Sequence, residues 1–384
     1  MSWEAMKLGD VLPFKYGRNL PESKRTQTGE YDVVTSAGVA GSHCEALTTV
    51  PSVVVGRKGT IGKLTYCGAP VWPTDTAFFV EERDGVNLRF AYYLLSTLPF
   101  QSMNNDSAVP GLNRRDAEDL IVRIPSLQEQ NSIADVLGAL DDKIAANQRV
   151  QESGLDLIKA LWQKAQRTST NEVLVGDIIE VNPRTQLADT PEVAFLDMKN
   201  LPEDGHLPCT WEMKESRSGS KFLNGDTLLG RITPCFENRK LGYVDFLEEG
   251  EAGLGSTEFI VFRPKEDTPR AIPLCIASSD SFRSEAQLNM VGTSGRQRVT
   301  ADFVKQFPVR WPTAEVLHDF SEATSPLLEK FSLLTKENQA LARTRNELLP
   351  LLMNGKITVA EAKEAVGDVG VVKQNQQEEG DSSV

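Results

Sequence analysis

The sequence predicts an α+β protein in which two similar domains are separated by a pair of long antiparallel helices that form a coiled coil. Two observations predict this class. The chain contains the same series of short segments twice, in the same order, and each series is followed by a long stretch with largely heptad apolar spacing. A length of 384 residues is sufficient for two or three domains with sizeable cores.

Four kinds of segment recur in the two halves: a Gly-Asp pair, an apolar run that ends in Gly-Arg, a Thr-containing start to an apolar strand, and an extended segment stopped by proline. In the first and second half respectively, they lie at 8–11 and 175–178, 53–57 and 228–231, 74–80 and 256–262, and 120–125 and 307–312. Glycines after each Gly-Arg predict that the apolar run returns as a β-hairpin.

Two long helices are expected, one from about Leu127 to Arg167 and one from about Ala314 to Asn354. Their apolar positions are Ile133, Leu137, Leu140, Ile144, Ile158 and Trp162 in the first, and Leu327, Phe331, Leu334, Leu341, Leu348 and Leu352 in the second. This spacing allows the two helices to pack against each other. Pro326 predicts a kink or a restart of the second helix, and Gly154 is a weaker interruption of the first.

Polar residues interrupt both apolar series: Asn147 and Gln151 in the first helix, Asn338 and Arg345 in the second. A polar residue at an inward position can fix which helices pair and in which register. Asn147 and Asn338 either have this role or lie on a solvated face, and the pattern alone leaves both interpretations open.

The composition limits the possible functions. Asp and Glu number 54 against 41 Lys and Arg, so the formal net charge is -13. This balance argues against a free-standing nucleic-acid binder, because Lys and Arg supply most non-specific affinity for DNA. The start, MSWEAMKLGD, lacks the features of a signal peptide, and no stretch has the roughly 20 apolar residues that span a bilayer. We therefore expect a soluble cytoplasmic protein.

Motifs that carry chemistry are missing from the sequence. The five cysteines (Cys44, Cys67, Cys209, Cys235, Cys275) form no CxxC pair, and His43, His206 and His318 are the only histidines, so we expect no metal site. The Val181-Asn182-Pro183-Arg184 segment lacks the second proline and aromatic residue of an AdoMet-dependent methyltransferase motif, and Gly56–Thr60 lacks the spacing of a P-loop. We assign no catalytic residue.

The chain resembles the specificity subunits of type I restriction-modification systems over nearly all of residues 7–357. The most specific stretch is IPSLQEQNSIA at 124–134, which is similar to the start of the first long helix in that family. The segment NQALARTRNELLPLLMNGKI at 338–357 resembles the family's closing helix, and VGRKGTIG at 55–62 matches its first-domain pattern. The second half departs from the first at 233–235 and at 312–315.

The resemblance implies five parts. They are a first target-recognition domain at 1–125, a first spacer helix at 126–168, a second target-recognition domain at 169–312, a second spacer helix at 313–355, and an acidic, disordered tail at 356–384. Such a subunit reads a bipartite target in double-stranded DNA, one half-site per domain. Its helices serve as a ruler and as the dock for two methyltransferase subunits.

The resemblance also implies which chemistry belongs to partners. Methyltransferase subunits would bring AdoMet and adenine methylation, while motor-nuclease subunits would bring ATP hydrolysis with Mg and cleavage. The chain itself would be non-catalytic and would hold no cofactor. Closure of the partners around DNA would supply much of the cationic surface that a chain of charge -13 lacks.

Basic and amide side chains near the repeated segments are the candidates for DNA contact, because Arg pairs with guanine, Asn and Gln pair with adenine, and Lys favours phosphate. They are Lys15, Arg18, Lys24, Arg25, Arg57, Lys58, Lys63, Asn113, Arg114 and Arg115 in the first half, and Arg184, Arg217, Lys221, Arg231, Asn238, Arg239, Lys240, Arg296, Gln297 and Arg298 in the second. Segments 216–221 and 293–298 are expected to be flexible cationic loops. For any single residue, the alternative is an ordinary solvated charge.

Two other functions compete with this interpretation. An adaptor that binds only proteins through its paired helices would agree better with the negative charge. An enzyme with an unrecognised active site is the third possibility. Aromatic residues that could stack on a base (Trp72, Tyr92, Tyr93, Trp211, Phe236) are assigned to the core, where single aromatics in apolar surroundings usually lie.

Overall fold

The structure, a computed structural model, describes residues 3–26, 28–103, 111–167, 169–203, 210–293 and 295–367. The chain divides into two compact units, Met1–Lys143 with Leu341–Val384, and Ile144–Ala340. Each unit contains one half of the repeat and a part of each long helix. The predicted α+β class with two long helices is confirmed.

The first half is built from nine strands and three short helices. They are β1 (Glu4–Lys7), α1 (Leu8–Val11), β2 (Lys15–Tyr16), β3 (Tyr31–Thr35), β4 (Gly38–His43), β5 (Ser52–Gly56), β6 (Leu64–Cys67), β7 (Trp72–Pro73), β8 (Ala77–Glu81), α2 (Leu88–Ser96), α3 (Arg114–Glu118) and β9 (Ile121–Ile124). The first long helix, α4 (Leu127–Arg167), follows.

The second half repeats this order with additions. Its elements are β10 (Glu172–Leu174), α5 (Val175–Ile178), β11 (Ile179–Val181), β12 (Val193–Leu196), β13 (Glu212–Lys214), β14 (Ser220–Phe222), β15 (Thr227–Gly230), β16 (Leu241–Tyr243), β17 (Gly253–Gly255), β18 (Phe259–Pro264), α6 (Ile272–Ser278), α7 (Asp280–Leu288), α8 (Ala301–Gln306) and β19 (Pro308–Arg310). The second long helix, α9 (Ala314–Met353), and the short α10 (Val359–Gly367) complete the chain's described elements.

Each half contains the same four-stranded antiparallel sheet, with the order β2-β8-β5-β6 in the first and β11-β18-β15-β16 in the second. The two predicted hairpins are the pairs β5–β6 and β15–β16. Their first strands are buried along their whole length. This explains why they read as continuous apolar runs: both faces of a central strand are covered.

A second sheet in each half contains one parallel pair, β3 with β7 and β12 with β17. The orders are β4-β3-β7 and β13-β12-β17-β14. The second half therefore has one additional strand, β14, which is antiparallel to β17. Outer pairs β1–β9 and β10–β19 bring the start and end of each half together.

The glycine of each repeated Gly-Asp pair permits close helix packing. A Cβ atom on Gly9 would lie 2.8 Å from Cβ of Glu118 in α3, and one on Gly176 would lie 3.1 Å from Cβ of Lys305 in α8. The second residue of α1 and of α5 must therefore be small, which is a physical reason for the repeat of this glycine.

Two sequence-based expectations about the helices need correction. Helix α9 is continuous from Ala314 to Met353, so Pro326 does not restart it, and buried residues such as Phe320 and Phe331 lie on both sides of the proline. The stretch after Gly355 is not wholly without structure either, since α10 forms and buries Ala362 and Val366. Residues 368–384, the rest of the expected tail, lie outside the described residues.

Helix α10 begins with a capping box that the sequence contained. The backbone N–H of Thr358 donates to the Glu361 carboxylate at 2.7 Å, and the backbone N–H of Glu361 donates to Oγ1 of Thr358 at 3.3 Å. These bonds to the Thr358 backbone and hydroxyl hold the pKa of Glu361 below its ordinary value. Within the described ranges, no helix has the length and apolar composition that crossing a lipid bilayer requires.

The polar residues inside the helices make contacts between α4 and α9. In the Ile144–Ala340 unit, Nδ2 of Asn147 donates to Oδ1 of Asn338 at 2.9 Å, and Nε2 of Gln151 donates to Oγ1 of Thr335 at 3.0 Å. Asn147 is only 4% exposed. The alternative that it lies on a solvated face is therefore wrong, and these pairs fix the helix register.

Gly154 is a point of close packing between the two helices in that unit. A Cβ atom built there would lie 2.5 Å from Cζ of Phe331, whose ring is 1% exposed. The residue that the sequence marks as a weak point of α4 is instead the position that admits the ring. The polar and apolar contacts of α4 therefore both depend on one rotational setting of the helix.

Replacing Gly154 by alanine should destabilise the protein, because the new methyl group displaces a buried ring. The matched control is Gly138→Ala in the same helix, where the added Cβ meets, at 2.8 Å, the guanidinium end of the Arg89 side chain, which is 30% exposed and pairs with the exposed Asp142. Both variants gain the same helix propensity, so their difference isolates the clash. We expect Gly154→Ala to be less stable than Gly138→Ala by about 1–3 kcal/mol in denaturant unfolding. Equal stability would contradict this packing.

A buried carboxyl group connects the sheet of the second half to α9. Oδ2 of Asp245 accepts a hydrogen bond from Oγ1 of Thr335 at 3.0 Å, and its backbone carbonyl accepts one from Ser332 at 3.1 Å. Oδ1 is buried with no hydrogen-bond partner among the described residues. Burial raises the pKa of Asp245 to about 7.

This raised pKa predicts a pH-dependent stability of unusual sign. The folded state holds the proton more tightly than the unfolded chain, so stability falls as the pH rises from about 4 to about 7. Asp245→Asn should therefore be more stable than the wild type at pH 8, by roughly 2–4 kcal/mol, and this gain should disappear towards pH 4. Exposed Asp319 on α9 provides the control variant Asp319→Asn. Thermal unfolding across this pH range is the measurement, and a gain independent of pH would refute the argument.

Candidate nucleic-acid interface

The arginine of the repeated Gly-Arg is held in the same way in both halves. The backbone N–H of Arg57 donates to the carbonyl of Thr76 at 2.9 Å, and its Nη1 donates to the carbonyl of Asp75 at 3.3 Å. In the second half, the backbone N–H of Arg231 donates to the carbonyl of Glu258 at 3.0 Å, and its Nη2 donates to that of Thr257 at 3.3 Å. Each guanidinium is thus fixed at the end of the hairpin's first strand.

Around Arg57, an exposed tyrosine lies between two arginines. The guanidinium carbon of Arg57 is 5.1 Å from the ring centroid of Tyr16, and that of Arg114 is 5.8 Å from the same ring. Tyr16 is 52% exposed. Arg114 is itself held by Glu118 at 2.9 Å. We call Tyr16, Arg57 and Arg114 the first arginine surface; it presents two oriented forks and one aromatic ring to solvent.

Around Arg231, a carboxylate replaces the aromatic ring. Glu258 accepts from Nε of Arg231 at 3.0 Å and from Nη2 of Arg298 at 2.8 Å. These hydrogen bonds, that from Arg298 first, hold the pKa of Glu258 below its ordinary value. Arg298 is further fixed by its backbone, which bridges to Ile232 and Val291. Glu258 therefore orients two arginines at once.

Beside Arg231 lies a cavity of about 460 Å³, which we call the second-domain pocket. Its polar lining residues are Asn182, Arg184, Thr185, Ser220, Lys221, Arg231 and Thr257. None of its lining residues is acidic.

A backbone clamp shapes one wall of the pocket. Asn182, in a left-handed conformation with φ of 54°, donates its N–H to the carbonyl of Val261 at 2.8 Å, while its Oδ1 accepts the N–H of Val261 at 2.9 Å. The chain then turns away from β18 through Pro183 and Arg184. Nearby, Arg263 binds Thr185 at 3.1 Å and the buried Asp226 at 2.6 Å, which secures the turn.

The strand registers relate the walls of this pocket to the equivalent positions of the first half. Lys15 and Tyr16 pair with Phe79 and Phe78 of β8. Continuing the pairing of β11 with β18 places Asn182 and Pro183 at the equivalent positions. Where the first half has the large ring of Tyr16, the second half thus has a proline, and the additional strand β14 supplies Ser220 and Lys221 across the resulting space.

The structure separates the predicted DNA-contact residues into three groups by what their side chains contact. Seven form ion pairs: Lys15, Arg114, Arg217, Arg231, Arg239, Lys240 and Arg298. Four contact a backbone carbonyl or a ring: Arg18, Arg25, Arg57 and Lys63. Six have no ion pair or side-chain hydrogen bond with another described residue: Lys24, Lys58, Arg115, Arg184, Lys221 and Arg296.

The three amide residues among the predicted DNA contacts differ in what holds them in place. Asn113 caps α3, where its Oδ1 accepts the N–H of Arg115 at 2.9 Å. Asn238 and Gln297 are held through their backbone N–H groups, by the carbonyl of Pro234 and by Oγ1 of Thr233. Their side chains form no hydrogen bond with other described residues.

Two expected loops are more ordered than the sequence indicated. Lys221 lies on β14, where it pairs with Leu254, and not in a flexible loop. Arg298 takes part in two β-bridges. Pro110 and Ser294, which belong to the predicted turns, lie outside the described residues.

Sequence reasoning missed three residues that organise these surfaces: Tyr16, Glu258 and Asn182. Of the five aromatic residues assigned to the core, Trp72, Tyr93 and Phe236 are buried, whereas Tyr92 and Trp211 are only half-buried. Tyr16 could have been found because it lies between Lys15 and Gly17 in a stretch that continues with the predicted contact Arg18. Glu258 had no local signal, since its two arginine partners are distant in sequence.

Metal-binding residues do not cluster in the described ranges: no group of three or more His, Cys, Asp or Glu side chains is placed to hold an ion there. Sγ of Cys44 lies 4.0 Å from Nδ1 of His43, the pair closest to a site in the sequence. Cys209 and His206 lie outside the described residues.

Comparison with known proteins agrees with this arrangement. Residues 1–153 match the family described as the type I restriction modification DNA specificity domain. The chain is 32% identical over 141 residues to the type I restriction enzyme EcoAI specificity subunit of Escherichia coli, and 29% identical over 146 residues to the EcoEI specificity subunit of the same organism. These alignments include 35% and 36% of this chain but 24% of each relative, so the chain spans about a quarter of the length of these relatives.

In three dimensions, the chain is similar to the crystal structure of a type I restriction-modification system S subunit from M. genitalium. The TM-score is 0.54 at 14% sequence identity, over 92% of this chain and 96% of that chain. At this identity the likeness concerns the fold. Residues 1–153 are therefore similar in sequence to the type I restriction modification DNA specificity domain, and the chain is similar in fold to a type I S subunit.

Proposed function

We propose that this chain is the non-catalytic DNA sequence-specificity subunit of a type I restriction-modification complex, and that it reads a bipartite target with one half-site per recognition domain. The observation that carries the proposal is the repeat of one oriented arginine in both halves. Arg57 and Arg231 end equivalent strands, and equivalent backbone carbonyls hold both guanidinium groups.

An arginine held in this way suits the reading of base edges. Its planar fork matches the two acceptors that guanine presents in the major groove. Orienting the fork before DNA arrives reduces the side-chain entropy that binding would otherwise cost. The surroundings differ, with Tyr16 at Arg57 and Glu258 at Arg231, and this difference supports two half-sites of different sequence.

The long helices are the proposed dock for two methyltransferase subunits. Val150 and Leu157 on α4 are 51% and 49% exposed, and their seven-residue separation puts them on one face of the helix. Leu333 on α9 is 64% exposed. Exposed apolar residues on long helices suit burial by a partner. These partners would bring AdoMet and adenine methylation, and motor-nuclease subunits would bring ATP hydrolysis with Mg.

An adaptor that binds proteins alone is the second candidate, and the net charge of -13 favours it. The two functions differ in one measurable respect. A specificity subunit changes where DNA is methylated, whereas an adaptor of this kind does not contact DNA.

Mapping methylated adenines tests the proposal directly. Cells that express this chain with its cognate methyltransferase subunit should show a split methylation motif in long-read sequencing, and the motif should vanish when the chain is omitted. Co-purification of the two proteins controls for assembly. No chain-dependent methylation from an intact, co-purifying pair would favour the adaptor.

Removing the first repeated arginine should change only one half of that motif. Arg57→Ala deletes the oriented fork of the first arginine surface, so base preference in one half-site should relax by about 1–3 kcal/mol of discrimination at one position. The other half-site should stay unchanged. Arg123→Ala, which removes another exposed cation of the first domain that is not among the predicted DNA contacts, is the control. Relaxation of both halves together would contradict the assignment of one half-site per domain.

A further inference from the structure

We infer that the second-domain pocket binds a phosphate group of the DNA backbone beside the half-site that the second recognition domain reads. The inference deepens the proposed function and rests on it. It assigns Arg184 and Lys221 as the cations that hold the phosphate, and it leaves base reading to the third cation of the lining, Arg231, which is the equivalent of Arg57.

The charge of the pocket lining is the first observation. Three cationic residues line it, and no acidic residue does. Three other cavities in the described part of the chain, of about 940, 750 and 480 Å³, all contain at least one Asp or Glu in their lining. Among these four cavities, it is the one whose charged lining residues are all cationic, in a chain with 54 acidic and 41 basic residues. An anion is therefore the ligand that its charge favours.

The unused binding capacity of the lining is the second observation. Neither Arg184 nor Lys221 forms an ion pair or a side-chain hydrogen bond with another described residue, although most cations of the second domain are paired. The side-chain NH₂ of Asn182 likewise donates to no other described residue, because the clamp to Val261 uses only its Oδ1 and its backbone N–H. An ammonium, a guanidinium and an amide thus remain available as donors.

The rigidity of the walls is the third observation. Lys221 lies on β14, which is paired with β17, so its backbone cannot move freely. Asn182 is fixed to β18, and Arg231 is fixed by Glu258 and by the carbonyl of Thr257. A preorganised set of donors binds a compact anion with little loss of entropy.

The residue types favour phosphate over a base edge. Lysine is a compact point charge that binds phosphate without directional matching, and backbone contacts by Lys and Arg fix the position of a protein on DNA without reading its sequence. The pocket adjoins Arg231, the residue equivalent to Arg57. A phosphate held there would place the second domain on the duplex while neighbouring side chains read the bases.

If the pocket holds a phosphate, removing one of its cations should lower the affinity for duplex DNA without changing the sequence preference. Lys221→Gln in the full chain, assembled with its methyltransferase partner, should weaken binding to duplexes with and without the methylated motif to a similar extent, about tenfold. The slope of log affinity against log salt should fall by about one. The methylated motif itself should not change. Arg184→Gln should behave in the same way.

The control is Lys363→Gln on α10, which removes the same charge from an exposed residue with no side-chain partner among the described residues. The inference is overturned if Lys221→Gln binds duplex DNA as tightly as Lys363→Gln does. If the assembled complex still methylates the same motif in that case, the proposed function is unaffected. A changed motif with unchanged salt dependence would also overturn the inference, because the pocket would then read bases.

An experiment with inorganic phosphate distinguishes two possible ligands of the pocket, a phosphate of the DNA backbone and a free phosphate ion. Thermal unfolding of the full chain alone should shift upwards with added phosphate, and Lys221→Gln should reduce this shift while Lys363→Gln should not. If that shift is lost in Lys221→Gln but duplex affinity is unaffected, the pocket binds a free phosphate and the DNA assignment is wrong. If neither measurement responds, the pocket is no anion site.

Discussion

The close packing of α4 against α9 is the constraint on which the larger core of the Ile144–Ala340 unit depends. The ring of Phe331 can lie against α4 only because Gly154 has no side chain, and this sets the distance between the helices. Beyond that point, Ile158 and Trp162 join one apolar cluster with strands and helices of the second half. A different helix spacing would leave this cluster without one of its walls.

Polar groups determine the register that this packing requires. Gln151 donates to Thr335, and Thr335 donates to Asp245, so one line of hydrogen bonds leads from α4 through α9 to the sheet of the second half. Each bond in a buried position is costly to leave unmade, so an alternative register would be penalised. Apolar heptads specify that the helices pair; Asn147 and Gln151 specify where. The cost is the buried carboxyl group of Asp245, which is more stable with its proton.

The fold and the candidate site were predictable to different degrees. The long helices and both hairpins followed from local periodicity and from glycines after Gly-Arg, signals that a single segment contains. Continuity through Pro326 was not predictable, because tertiary burial of Phe331 and its neighbours overrides a local helix breaker. The capping box at Thr358 was a usable local signal for α10. Parallel pairs such as β3–β7 join segments that are distant in sequence, and neither segment contains a local signal that identifies its partner.

The basic residues of the site were identifiable by type, but their roles depend on partners that sequence alone does not reveal. Arg231 and Arg298 both donate hydrogen bonds to Glu258, whereas Arg57 makes a cation–π contact with Tyr16. The repeat conserves the backbone bonds that hold the two equivalent arginines and changes what surrounds them. Two domains of one architecture can present different chemical surfaces when the backbone bonds that hold the arginine stay the same and the neighbouring side chains differ.

A net charge of -13 does not prevent these local cationic surfaces from binding an anion, because salt limits the distance over which the other charges act. At about 0.1 M salt, charges separated by more than roughly 10 Å are largely screened, so the mean charge affects approach more than contact. Ion pairs such as Arg239 with Asp280 and Lys240 with Glu203 reduce the field of many cations in the second domain. Arg184 and Lys221 remain unpaired among the described residues, in a cavity free of carboxylates. For the proposed function, this charge distribution implies little general affinity for DNA and an attraction confined to the few places where duplex and protein fit closely.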